Sequence, residues 1–146
     1  MNTKTIQERE DQVVEDFSLF DDWMMKYEHI IELGKKLPVI DEKYKNESYE
    51  VKGCQSRVWL NAELKDGLIY YKADSDAIIT KGIISLLINV LSGNKPEDIV
   101  NADMNFINAI GLKEHLSPNR ANGLTAMINY MKNFALTYSK ENVNKN

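Results

Sequence analysis

The chain has 146 residues, 43% of them apolar, and a formal net charge of −4. That length suffices for one domain with its own core, and the composition is that of an ordinary globular protein. The acidic balance argues against a nucleic-acid binder, which carries a basic stripe, and no stretch approaches the roughly 20 apolar residues of a membrane helix.

In chain order, Met1 to Glu8 is polar and unlike a signal peptide. Ile6 to Phe20 reads as a helix with Val13, Val14 and Phe17 on one side. Asp21 or Asp22 caps a second helix, in which Trp23, Tyr27, Ile30 and Ile31 recur at helical spacing. Gly34 and Pro38 are expected to end it. Asp41 to Ser48 reads as a polar surface loop. The period then changes to two: Val58, Leu60, Ala62 and Leu64 alternate with polar neighbours, predicting a strand with one face in the core. Asp66-Gly67 is a hairpin-turn dipeptide, and Leu68 to Lys72 supplies the return strand. Tyr49 to Lys52 is a candidate third strand.

Asp74-Ser75-Asp76 is expected to open a long helix through Leu91 that is apolar on most sides, hence central and buried. Ser92-Gly93 caps it, and Pro96-Glu97-Asp98 starts a short helix. Another spans Met104 to Ile110 and is ended by Gly111. Ser117-Pro118 pairs an N-cap with Pro at the first helical position. The last helix runs to about Tyr138, followed by a polar, frayed tail. One domain over 1–146 is expected, with its core at about 20–138 and the tail at 139–146. The fold class is α+β, a small antiparallel sheet packed against several helices.

Cys54 is the only cysteine. One thiol forms no internal disulfide, which suits a reducing, cytoplasmic setting. It also cannot supply the four or so cysteines of an iron–sulfur site. Two readings remain open: a buried, inert packing residue, or a nucleophile that accepts a group and hands it on. Gly53 beside it suits a positive-φ turn. His115 could pair with Cys54 as the base of a transferase or hydrolase dyad, although Leu116-Ser117-Pro118 beside it reads as a helix cap. Cys54, His29 and His115 have no zinc-like spacing. Trp59 reads as structural, covering the sheet or a neighbouring helix. Met24, Met25, Met127 and Met131 read as core filler or helix contact surface. Arg120 lies in the first turn of the last helix, where a cation is mildly unfavourable. It is either simply exposed or placed there for a purpose.

Several ordered segments resemble one family. Gly53-Cys54-Gln55-Ser56 followed by Val58-Trp59 is similar to the active-site segment of the SufE family. Ile31 to Pro38 is similar to its N-terminal helix and exit, and Ala73 to Ala77 with Lys81-Gly82 to the start of its central helix. Gly111-Leu112, His115 to Arg120, Gly123-Leu124 and Ala126-Met127 match its late motif. The resemblance runs from about Trp23 to about Met131, in order. Two positions depart from it: Asn119, where Ser often precedes the Arg, and Arg57, where Gln or another polar residue is common.

The resemblance implies a sulfur acceptor and carrier with a SufE/IscU-like fold. A SufS-type cysteine desulfurase, which carries pyridoxal phosphate, would place sulfane sulfur on Cys54 as a persulfide and be stimulated by its removal. An iron–sulfur scaffold complex would receive the sulfur. The chain itself would need no cofactor or metal and would bind neither nucleic acid nor membrane; a homodimer stays open. Gly53, Gln55, Ser56, Asp74, Asp76, His115 and Arg120 would support Cys54 or face the partner. Asp74 and Asp76 also read simply as helix-start residues. Lys52, Arg57 and Arg120 are expected to lower the thiol pKa, and the thiol to be sheltered at rest because thiolates oxidise readily. A third reading, a cluster-assembling scaffold, is disfavoured by the single cysteine.

Overall fold

The computed structural model describes residues 5–38 and 40–144, with side chains to residue 139. Among the described residues the architecture is α+β, with seven α-helices and a two-stranded antiparallel sheet. Helix α1 (Ile6–Phe17) starts on a reciprocal capping box between Thr5 and Glu8. Helix α2 (Trp23–Lys35) is capped by Asp22, whose carboxylate accepts from Met25 N at 2.9 Å. Two short 3-10 turns, Glu42–Tyr44 and Glu47–Tyr49, fill the expected polar loop. Strands β1 (Val58–Lys65) and β2 (Leu68–Ser75) pair from Lys65↔Leu68 to Val58↔Ser75. Asp66 (φ 52°) and Gly67 (φ 82°) join them, both left-handed, as a type I′ turn requires.

The apolar α3 (Ile78–Leu91) is the spine of the core, with Ile83, Ile84, Leu87, Val90 and Leu91 fully buried. Helix α2 crosses it at a pair of glycines. A Cβ on Gly82 would lie 2.2 Å from Ile30 O, and one on Gly34 would lie 2.7 Å from Gly82 N. Ser85 Oγ donates to Leu33 O at 3.1 Å across the same contact. Short helices α4 (Pro96–Asn101), α5 (Phe106–Ala109) and α6 (Leu112–His115) lead into the long α7 (Pro118–Asn144). Leu124, Met127, Met131 and Ala135 of α7 face the core. Tyr71 Oη donates to Met131 O at 2.8 Å, tying the sheet to that helix.

Six expectations are corrected. Gly34 does not end α2; it lies inside the helix, where it permits the crossing with α3. Tyr49 to Lys52 forms only the isolated bridge Glu50↔Trp59, so no third strand exists among the described residues. The return strand continues through Asp74 and Ser75, and α3 starts at Ile78, with Ala77 at its cap and no side-chain capping bond. The segment expected as helix from Met104 begins only at Phe106, because Met104 takes φ 57°. The core cluster reaches back to Ile6, Val13 and Phe17, and α7 continues to Asn144 where a frayed tail was expected; Lys145 and Asn146 lie outside the described residues.

Candidate functional site

Cys54 sits on an irregular loop, residues 52–57, which runs from Val51 to the start of β1 at Val58. Val51 N donates to Val58 O at 2.8 Å, closing the loop at its base, and both valines are buried. Gly53 turns the chain with φ 95°, a conformation other residues resist. On the β2 side, Asp76 Oδ1 accepts from Arg57 N at 3.0 Å, Asp76 N donates to Arg57 O at 3.2 Å, and Ser75 Oγ donates to the same carbonyl at 2.7 Å. The loop is therefore fastened at both feet while its tip carries the thiol.

The tip rests on α7. A Cβ on Gly123 would lie 3.4 Å from Cys54 Sγ, and one on Gly53 would lie 3.3 Å from Ala126 Cβ. Cys54 Sγ donates to Gly123 O at 3.6 Å, and Asn119 Nδ2 donates to Gln55 Oε1 at 3.2 Å. Beside the sulfur is a cleft of about 80 Å3, lined by the 54–56 tip, by Thr80 and Ile83 of α3, and by Asn119, Arg120, Gly123 and Met127 of α7. The half-buried position pushes the Cys54 thiol up from its ordinary value. The expected lowering by cations is therefore reversed in this resting arrangement. Lys52 and Arg57 are exposed, and Arg120 is the one cation of the three that lines the cleft.

The structure separates the remaining candidates. Gln55, Ser56 and Arg120 join Cys54 at the cleft. His115 does not line it; its ring stacks on Trp23 at 4.5 Å, and Nδ1–H donates to Gly111 O at 2.8 Å. His29 packs between Phe17 and Phe20. Among the described residues no group of three or more His, Cys, Asp or Glu side chains could hold a metal ion, and no helix is long and apolar enough to cross a membrane. Asp76 serves the loop, not the helix start. Asp74 is clamped by Lys45 at 2.8 Å and Lys81 at 3.3 Å. Burial opposes its ionisation, but the hydrogen bonds from Lys45 and Ser75 N and the charge of Lys81 prevail and hold the carboxyl below the usual range. Lys45 also lies 5.8 Å from the centroid of the half-buried Trp59 ring, so the clamp covers the outer face of the sheet behind the loop. Met127 and Met131 are core, whereas Met24 and Met25 are exposed.

Sequence reasoning overlooked Gly123 and Thr80 as parts of this site. A glycine inside a helix costs about 1 kcal/mol against alanine, so Gly123 inside α7 was the available signal of a close approach. Nothing local marks Thr80.

The fold and site together define an α+β protein with a lone thiol on a tethered loop, seated against a helix beside a small cleft. The chain belongs to the SufE family: the family, described as an Fe-S metabolism associated domain, matches residues 11–135. An uncharacterized SufE-like protein of Rhizobium meliloti is 38% identical over 130 residues, spanning 86% of this chain and 93% of its own. One from Synechocystis sp. is 39% identical over 127 residues, spanning 87% of this chain and 80% of its own. SufE-like protein 1, chloroplastic/mitochondrial, of Arabidopsis thaliana is 36% identical over 126 residues, spanning 86% of this chain but 34% of that longer protein. The solution structure of a hypothetical protein from Thermus thermophilus superposes with a TM-score of 0.74 at 22% identity, covering 88% of this chain and 94% of that one, a likeness of fold.

Proposed function

We propose that this chain is a sulfur carrier for iron–sulfur cluster assembly, working on Cys54 beside a pyridoxal-phosphate-dependent cysteine desulfurase. The observation that supports it most is the seat of Cys54: the chain's one thiol, on a loop tip held to α7 by contact rather than by strand pairing. Such a tip can lift while its feet stay fastened through Val51 and Asp76. Membership of a family associated with Fe-S metabolism points the same way.

In the proposed step the desulfurase presents a cysteine persulfide. The Cys54 thiolate attacks the outer sulfur, a new S–S bond forms at Cys54, the desulfurase S–S bond breaks, and its cysteine thiolate leaves. The proton from Cys54 passes to solvent or to that leaving thiolate, and nothing is oxidised or reduced overall. Rate follows thiolate fraction and access. At rest both are low, because the thiol is half-buried and its pKa is raised. Docking that lifts the tip into water would raise both, with Arg120 beside the emerging thiolate. The carrier then hands the sulfur to an iron–sulfur scaffold complex in a reducing, cytoplasmic setting, and with one cysteine it has no resolving thiol of its own. It would act as an accessory rather than an enzyme. The dyad alternative lacks its base, since His115 is held against Trp23 and Gly111.

The test is desulfurase turnover with L-cysteine. Native chain should stimulate it, Cys54→Ser should not, and His115→Ala should stimulate like the native chain. A serine variant that stimulates equally well contradicts the reading.

A further inference from the structure

Thr80 is the one polar side chain of the Cys54 cleft that is both buried and unused. It stands in the first turn of α3, is 7% exposed, and lines the cleft. Among the described residues its hydroxyl has no hydrogen-bond partner. The hydroxyl is not sealed from solvent, since Arg9 Nε is the one buried side-chain polar atom without a partner among the described residues, so it is free to serve an occupant of the cleft. The resting thiol is not that occupant, because it donates to Gly123 O. The other walls from the helices are apolar or bare, Ile83, Met127 and Gly123, apart from Asn119 and Arg120 toward the surface. At about 80 Å3 the cleft holds several water-sized atoms. It is far smaller than the roughly 300 Å3 at which small-molecule sites begin.

We propose that the Thr80 hydroxyl is the hydrogen-bond donor for the outer sulfur of a Cys54 persulfide, and that the cleft is the seat of that sulfur. The inference rests on the reading of Cys54 as a sulfur carrier. Loading reverses what the site must satisfy. The thiol's S–H is gone, and the outer sulfur carries negative charge. Gly123 O, an acceptor, offers it nothing. Thr80 Oγ1–H offers a donor from α3, and Arg120 offers positive charge from α7. No other charged side chain lines the cleft among the described residues: Gln55, Ser56 and Asn119 are neutral, and Lys81 of α3 is paired with Asp74. A donor to the anion lowers the pKa of the persulfide and keeps it in its less electrophilic form until an acceptor docks.

The test loads Cys54 without any desulfurase. Inorganic tetrasulfide reacts with the Cys54 thiolate to give the persulfide anion and trisulfide, so sulfur and charge balance. After the excess is removed, the alkylation rate of the persulfide by iodoacetamide is followed by mass spectrometry across pH in native, Thr80→Val and Thr80→Ser chains. The midpoint should move up by about one pH unit in Thr80→Val, the scale of a hydrogen bond to a charged group. It should stay at the native value in Thr80→Ser, which keeps the hydroxyl. Thr80→Ala, read the same way, stands in if the valine chain does not fold. Equal midpoints in native and hydroxyl-free chains would overturn the assignment, as would a serine variant that shifts as far as valine, or a native chain that takes no sulfur from tetrasulfide. Because loading bypasses the desulfurase, failure of desulfurase transfer counts against the carrier reading alone.

Discussion

Two pairs of glycines bring parts of this chain into close approach, and they do so with different clearances. At the α2–α3 crossing, a methyl group on Gly82 would stand 2.2 Å from Ile30 O and one on Gly34 would stand 2.7 Å from Gly82 N. At the Cys54 loop, the matching distances are 3.4 Å from Gly123 to Sγ and 3.3 Å from Gly53 to Ala126 Cβ. The first contact is backbone on backbone with no slack. The second is near ordinary van der Waals distance, reinforced by one long sulfur hydrogen bond and by the bond from Asn119 to Gln55 at 3.2 Å. A fixed crossing and a separable seat are what a carrier needs: a rigid frame, and a thiol that can leave its shelter without unfolding that frame.

This contrast can be broken at either end. The largest effect is expected from Gly82→Ala. No rotamer relieves a Cβ against a carbonyl oxygen, so α2 must shift off α3, at a cost of about 3 kcal/mol or more. Thermal melting reads it; a chain that melts like the native one would show that the crossing has slack. Gly123→Val comes next. Its Cβ would already stand 3.4 Å from Sγ, and the branches add bulk beneath the tip, so the tip should lift, and iodoacetamide should label Cys54 several-fold faster than in the native chain. The native thiol should label more slowly than a cysteine in an unstructured peptide; equal rates would mean that the loop gives no shelter.

A smaller effect comes from the Asp74 clamp behind the loop. Its carboxyl is held below the usual range, so the clamp contributes stability at neutral pH that is lost as pH falls from about 4 through the lower folded value. Asp74→Asn should flatten that part of the acid melting curve and leave its neutral and alkaline parts parallel to native. The smallest effect is Gly123→Ala. Its methyl group fits at contact distance, while alanine favours the helix by roughly 0.5–1 kcal/mol. Stability should hold or rise slightly, with labelling of Cys54 little changed.

The same contrast explains what could be read from sequence. Asp66-Gly67 was legible because a type I′ turn depends on its own two residues, and Asp22 because an N-cap acts three residues away. Cys54 was found through its neighbours in sequence. Gly34 was misread because glycine near a helix end ordinarily stops the helix, whereas its true role depends on Gly82, 48 positions on by the numbering. Asp74 and Asp76 were placed at a helix start for the same reason. Their partners, Lys45, Lys81 and the Arg57 backbone, are revealed only by folding. The strand expected at Tyr49 to Lys52 had suitable residues but only a single bridge to pair through. Thr80 carries no local mark, since a threonine in a helix looks alike whether it faces a cleft or the core.

The most direct measurement is the mass of this chain after incubation with a cysteine desulfurase and L-cysteine. A sulfur carrier gains the mass of one sulfur atom, or a small multiple, and Cys54→Ser gains none. A native chain of unchanged mass under conditions where the desulfurase itself becomes persulfidated, or a serine variant that gains sulfur equally, contradicts the account.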